Sequence, residues 1–254
     1  CMIGDGVNDA PALKTADVPQ PVTPPEGTEW EMVSTAEELE TALASGSGYY
    51  KLSNDIEGVF GAGMQTVTFS GVLDGDGHVV TLQYGDTVND RSYRLVDNIG
   101  ATGVIQNLGI AGKCQSEPFA DKLSGKLINC FSWAETVNGS GGMVGAMNSG
   151  SMIVNCYTST VVDEYSGGLI DYGAKDSYII YSYWQSGAEG SPWYPTSGDT
   201  PCLIGSSHKT ETEMKQADFI ALLNSHRGTT GMEWTLSDNA YPWQGEASEG
   251  NYFE

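Results

Sequence analysis

From Tyr49 to Trp184, apolar residues come in runs of three to five, each broken by a cluster of Gly, Asn, Asp or Ser. Nothing in this stretch repeats at the helical interval. The pattern predicts short strands joined by tight turns. Two segments read differently. Ser34-Thr35-Ala36-Glu37 has the spacing of a capping box, and Leu39, Ala42 and Leu43 follow at helical spacing before Gly46, which predicts a helix over 35–45. Thr210-Glu211-Thr212-Glu213 repeats the signature, with Met214, Ala217, Ile220 and Ala221 as its apolar stripe and Asn224 as its stop.

The strand runs recur at a fixed interval. Val79-Val80-Thr81-Leu82, Val104-Ile105-Gln106-Asn107-Leu108, Leu127-Ile128-Asn129-Cys130, Ile153-Val154-Asn155-Cys156 and Ile179-Ile180-Tyr181-Ser182 align with steps of 26, 22, 26 and 26 residues from Thr81 to Tyr181. Leu52-Ser53-Asn54-Asp55-Ile56 fits one period earlier, and Gly141-Gly142 and Gly167-Gly168 are also 26 apart. A period in this range means stacked supersecondary units. Without a helix in each repeat or a leucine ladder, a leucine-rich horseshoe is excluded. The expected architecture is all-β: a right-handed parallel β-helix with turns of about 22–26 residues, in which like residues lie over like residues. Asn at one corner suits a left-handed backbone.

Open solenoid ends expose strand edges, so the helix over 35–45 is expected to cap the first turn and residues 208–254 the last. Residues 30–254 then form one complete capped domain. Pro19-Gln20-Pro21-Val22-Thr23-Pro24-Pro25 belongs to a Pro-rich linker, 19–29, expected to act as a spacer outside any sheet. Before it, Met2-Ile3-Gly4-Asp5-Gly6-Val7-Asn8-Asp9 resembles the hinge motif of P-type cation-transporting ATPases. The resemblance implies Mg²⁺ contacts for Asp5, Asn8 and Asp9. The phosphorylated aspartate motif, the nucleotide-binding domain and the membrane helices of that family are missing, so residues 1–18 read as a non-functional leader.

The repeats also resemble a family. Gly125-Lys126-Leu127-Ile128-Asn129-Cys130-Phe131, Gly141-Gly142-Met143-Val144-Gly145 and Gly167-Gly168-Leu169-Ile170 are similar to the GLUG-type repeats of bacterial surface and adhesin-like proteins. Phe69 to Gly77 is similar to their opening turn, and Met214 to Trp243 to their ending. Tyr181-Ser182 departs from the pattern, standing where earlier turns have Asn-Cys. The resemblance implies a non-catalytic module of an extracellular bacterial cell-surface protein, engaged in adhesion or binding of a host or cell-surface glycan or protein.

Charge narrows the partners. With 33 acidic against 11 basic residues the net charge is −22, which argues against nucleic acid and against anionic membrane surfaces. No apolar run is long enough to insert in a membrane. No signal-peptide pattern opens the chain, which therefore reads as a mature fragment or an incomplete reading frame.

Candidate chemistry is sparse. Cys1, Cys114, Cys130, Cys156 and Cys202 lack zinc-type spacing. Cys130 and Cys156, one period apart, are expected to form a ladder of buried thiols, with a disulfide between turns as the alternative. His78, His208 and His226 have no triad partners, and no cofactor other than Ca²⁺ is expected. Asp74 and Asp76 in an Asp-Gly-Asp-Gly turn are the candidate Ca²⁺ ligands. The alternative function is a carbohydrate-active β-helix enzyme, glycosidase or lyase, using two carboxylates from Asp55, Asp74, Asp76 and Asp171. Tyr178, Tyr181, Tyr183, Trp184, Trp193 and Tyr194 cluster around the Gly- and Pro-rich insertion 185–201. Tyr183, Trp184, Trp193 and Tyr194 are the candidate binding residues, while filling of the last turns and the cap is the competing role.

Overall fold

The computed structural model describes residues 18–61, 66–139, 141–162, 165–187, 190–194, 200–236 and 241–244. The hinge-like motif lies outside them. The described chain is a parallel β-helix with three walls. Wall A stacks eight strands: Glu31–Val33 (β1), Tyr49–Leu52, Val72–Asp74, Val104–Gln106, Lys126–Ile128, Met152–Val154, Tyr178–Ile180 and Cys202–Ile204. Wall B runs through Ile56–Gly58, Val79–Leu82, Gly109–Cys114, Phe131–Ser132, Tyr157–Thr158, Tyr183–Trp184 and Ser207–His208. Wall C stacks Thr68–Phe69, Val96–Ile99, Ala120–Leu123, Val144–Met147 and Ile170–Gly173.

The central residues of wall A point inward and form one column: Tyr50, Leu73, Ile105, Leu127, Ile153 and Ile179, all buried. Phe69, Ile99, Leu123 and Met147 do the same from wall C. Each turn alone has too little apolar surface to fold, and stacking makes the core continuous.

The register corrects the first step of the repeat. Val79 and Val80 belong to wall B, where they pair with Gly109 and Ile110. The rung below Val104–Gln106 is Val72–Asp74, so Leu73 and Ile105 are 32 residues apart. The extra length is an excursion closed by a bridge between Tyr84 and Arg91 and containing a 3-10 turn, Val88–Asp90. Beyond it the expected register holds: Leu127 pairs Ile105, Ile153 pairs Leu127, and Gly141 bridges Gly167.

The first helix, Ala36–Ser45 (α1), buries Leu39, Ala42 and Leu43 against the lowest rungs of the three walls, closing that end. Its capping box is one residue later than expected. Thr35 accepts from the Glu38 N–H at 3.2 Å, and the Glu38 carboxylate takes the N–H groups of Ser34 and Thr35. These bonds, those from Ser34 first, lower the Glu38 pKa.

The C-terminal segment departs further from expectation. Its capping box, Thr210 with Glu213, is as read. The helix then breaks into Glu211–Met214 (α2) and Ala217–His226 (α3), which bury Met214, Phe219 and Leu223 and leave Ala217 and Ala221 exposed. The described part of the segment does not lie over the last turn. It runs back along the outside of wall B, where Phe219 meets Tyr157 and Tyr183, and Trp234 meets Phe131 and Tyr157. The physical reason is the outward column Val79, Gly109, Phe131, Tyr157, Tyr183, whose three aromatic rings need a cover. Burying each such ring contributes about 1.5–3 kcal/mol.

The Pro-rich stretch is likewise no free spacer over its first residues. Val18, Val22 and Trp30 pack on the outside of wall A against Val72, Val104, Ile128, Val154 and Ile180. The Gln106 side chain bonds both the N–H and the C=O of Val22, at 2.7 and 2.8 Å, as a neighbouring strand would. The two straps meet where the Gln20 side chain accepts from the Thr229 N–H.

Candidate binding surface

Walls A and B are covered by the chain itself, whereas among the described residues no strap crosses the outer row of wall C. Thr68, Asn98, Lys122, Ala146 and Tyr172 share one register position. Thr68, Lys122 and Tyr172 are exposed and the other two half-buried. Tyr172 is 49% exposed. The Tyr194 ring meets it edge-on at 6.3 Å, and the Tyr194 N–H donates to the Asp171 carbonyl at 2.9 Å, continuing the wall by one rung.

A second row lies beside the first. Asp97, Asp121, Gly145 and Asp171 fall between paired positions of successive strands, stacked about 4.8 Å apart. Arg94 draws part of this acidity together, reaching Asp121 at 3.3 Å and the buried Glu117 at 3.8 Å. Asp97 accepts the Val67 N–H at 3.0 Å. At Gly145 any Cβ would lie 2.8 Å from the Asp121 carbonyl oxygen, so only glycine fits between these carboxylates. The result is a narrow strip of carboxylates, an amide, an ammonium and two phenol rings.

The other site candidates lie apart. Asp74 is buried in wall A with both carboxylate oxygens engaged: Oδ1 accepts from the Asp76 N–H and Asn107 Nδ2, and Oδ2 from Gln106 Nε2. Asp76 pairs with Lys51 at 2.9 Å. These bonds build the corner of a turn, and among the described residues no three His, Cys, Asp or Glu side chains are grouped to hold a metal. Asp55, leading into wall B, accepts the Val79 N–H and contacts His78 Nδ1. Asp171 belongs to wall C. The walls thus separate Asp171 from Asp74 and Asp76, and no single cleft gathers the four aspartates.

The aromatic candidates need correction. Tyr183 and Trp184 are each 2% exposed. Tyr183 lies under Phe219, and burial pushes its phenol pKa up to about 12, helped by Tyr181. Trp184 turns into the core and donates its indole N–H to the Gly190 carbonyl at 2.8 Å. Trp193 is half-buried against the same core. Tyr178 faces the outside of wall A, and Tyr181 stacks on His226 at 3.6 Å. Only Tyr194 contributes to the open strip. Tyr172, its neighbour there, was missed because strand alternation from the buried Ile170 would turn it inward. Wall C carries two outward residues between inward ones, as in Val96-Asp97-Asn98-Ile99.

No protein-family model and no curated protein matches the sequence. Among solved structures the chain is similar to the crystal structure of a protein described as a putative immunoglobulin A1 protease from Bacteroides ovatus. The identity is 16%, the TM-score 0.47, and the match covers 89% of this chain and 93% of that one. Likeness at this level carries nothing about activity. No helix among the described residues is long and apolar enough to cross a membrane.

Cys114, Cys130 and Cys156 are buried free thiols. Cys130 and Cys156 stand in the interior ladder rather than in a disulfide, with the Cys130 N–H donating to Cys156 Sγ at 3.3 Å. Burial, reinforced by the Cys156 thiol, raises the Cys130 pKa. These sulfurs serve packing and corner hydrogen bonds.

Proposed function

We propose that the chain is a non-catalytic binding module of an extracellular bacterial cell-surface protein, presenting the outer strip of wall C to a neutral glycan. The observation that carries this reading is the exposed Tyr172 ring, braced by Tyr194 and next to Asp171, with Lys122 and Asn98 two and three rungs along the same row, on the one wall that the described straps leave open. A pyranose ring stacks an apolar face on a phenol while its hydroxyls bond to carboxylate and amide groups, and no acid–base pair is required. The net charge of −22 disfavours anionic polysaccharides. The resemblance of the repeats to GLUG-type surface proteins supports the location.

The test is calorimetric titration with a panel of neutral oligosaccharides. Binding by at least one, weakened tenfold or more in Tyr172→Ala with an unchanged melting temperature, is the expected result. Absence of binding across the panel, or affinity indifferent to Tyr172, would overturn the proposal. Release of reducing ends from the same sugars would replace it with the enzymatic reading.

A further inference from the structure

The lower edge of wall A is built differently from the strapped walls. β1 is its first strand and, among the described residues, pairs only with Tyr49–Leu52. The Val33 carbonyl accepts from the Ser53 N–H at 3.0 Å, so Glu31 and Val33 bond toward that neighbour. Strand geometry then turns the N–H and C=O of Met32 to the opposite side, away from the sheet. Met32 itself is 53% exposed.

Natural edges are commonly shielded by a covering element. Here α1 closes the core but leaves a groove of about 550 Å³ between its flank and β1. Val33, Ala42 and Tyr50 make the apolar floor, and Glu31, Glu37 and Glu38 line the rim. A free strand edge beside a helix is the arrangement that accepts an added strand, with main-chain bonds giving affinity and flanking side chains giving selection.

We propose that this groove binds an extended peptide segment of another protein, with apolar residues at its centre and Lys or Arg at its ends, as a further rung of wall A. The apolar centre lies beside Met32 and over Val33, where cross-strand neighbours are apolar. The basic ends fall near Glu31 and Glu37. Charge complementarity selects this occupant: the rim is acidic and the whole chain carries −22, so cationic segments are drawn to it and acidic ones repelled. This site is separate from wall C and does not depend on its ligand.

The experiment is fluorescence anisotropy of the intact chain with a labelled Lys-Val-Val-Lys peptide and its Glu-Val-Val-Glu counterpart. The basic probe is expected to bind, weakening several-fold between low and physiological salt, and the acidic probe not to bind. Met32→Pro removes the outward N–H while sparing the bonds to the neighbouring strand, and is expected to weaken binding at least tenfold with an unchanged circular-dichroism spectrum. The double variant Glu31→Lys, Glu37→Lys is expected to exchange the preference for the acidic probe, which decides the matter should the proline variant misfold. Absence of binding by the basic probe, equal binding of both probes, or full binding by a folded Met32→Pro chain overturns the proposal. So would a dimer in sedimentation that Met32→Pro dissolves, since a second copy would then be the occupant.

Discussion

The side-chain amide of Asn155 donates to Asn129 Oδ1 at 2.8 Å, across one full turn of 26 residues. Asn129 in turn donates to Asn107 Oδ1 at 3.2 Å, and Asn107 to Asp74 at 3.0 Å. The ladder ends at Tyr181, which keeps the left-handed backbone of the three asparagines but stacks on His226 instead of bonding downward. The same amides hold the C-terminal strap: Asn129 donates to the Arg227 carbonyl and Asn155 to that of Leu223. One column of side chains thus fixes both the turn-to-turn register and the cover of wall B.

Substitution of Asn129 separates backbone from side-chain effects. Its φ is 53°, so glycine retains the corner while losing the amide bonds, at a cost of about 1–3 kcal/mol. Alanine loses the same bonds and adds about 1–2 kcal/mol for the left-handed conformation. Urea denaturation is expected to rank the proteins wild type, Asn129→Gly, Asn129→Ala. An alanine variant as stable as the glycine one would mean that the corner is not left-handed.

The interior corner beside it predicts a tolerance. The Cys130 N–H donates to Cys156 Sγ, the Cys156 N–H to Ser182 Oγ at 3.1 Å, and the Ser182 N–H to Ser206 Oγ at 2.9 Å. Serine already performs at two rungs what cysteine performs at one. Cys156→Ser is expected to cost less than about 1 kcal/mol, whereas Cys156→Val, which leaves the Cys130 N–H buried without an acceptor, costs about 1–3 kcal/mol. Comparison of the two melting curves checks this, and equal losses would remove the hydrogen-bonding role of the sulfur.

These corners were legible in the sequence because their steric demand repeats with the turn. Asn107, Asn129 and Asn155 mark it directly, and the three fall in one column. The earlier step from Thr81 failed because an apolar β-type run looks the same on either wall, and the excursion between Gln83 and Ser92 lengthened one turn without altering its composition. The straps were misplaced for a related reason. Aromatic and apolar residues near the C-terminus signal burial but not its address. The address was written elsewhere, in Phe131, Tyr157 and Tyr183, which follow the corner residue in three successive turns and face outward. Tyr172 escaped because wall C carries two outward residues in succession, which strict alternation does not describe.

Buried acids set a limit at high pH. Burial first, then the charge of Glu117, pushes the Cys114 thiol up to about 12 from its ordinary 9.0. Burial likewise raises Tyr157 and Tyr183. Between about pH 9 and 12 the unfolded chain releases these protons while the folded chain retains them, so stability is intact below pH 9 and falls as pH rises. The slope for a group as buried as Cys114 reaches about 1.4 kcal/mol per pH unit. Thermal melts across pH 7–11 are expected to show this decline, and Cys114→Ala to flatten the part beginning near pH 9. A melting temperature constant to pH 11 would contradict the burial of these groups.

The cover of wall B rests on Trp234, and two substitutions there should part company. Trp234 is 1% exposed, packed across the stacked rings of Phe131 and Tyr157, and its main chain is clasped by Asn224, which donates to the Trp234 carbonyl and accepts its N–H, both at 2.9 Å. Its indole N–H has no partner among the described residues. Replacement by phenylalanine therefore sacrifices ring volume but no hydrogen bond and removes an unsatisfied polar group, so the two effects partly offset each other and the loss stays near 1–2 kcal/mol. Alanine forfeits the ring contacts altogether, at about 3–5 kcal/mol, and uncovers Phe131 and Tyr157. The alanine variant is expected to bind a hydrophobic dye while its far-ultraviolet spectrum remains that of a β-protein, because the solenoid core lies on the other face of wall B. Simultaneous collapse of strand signal and strap would show that the strap is part of the folding unit rather than a cover laid upon it.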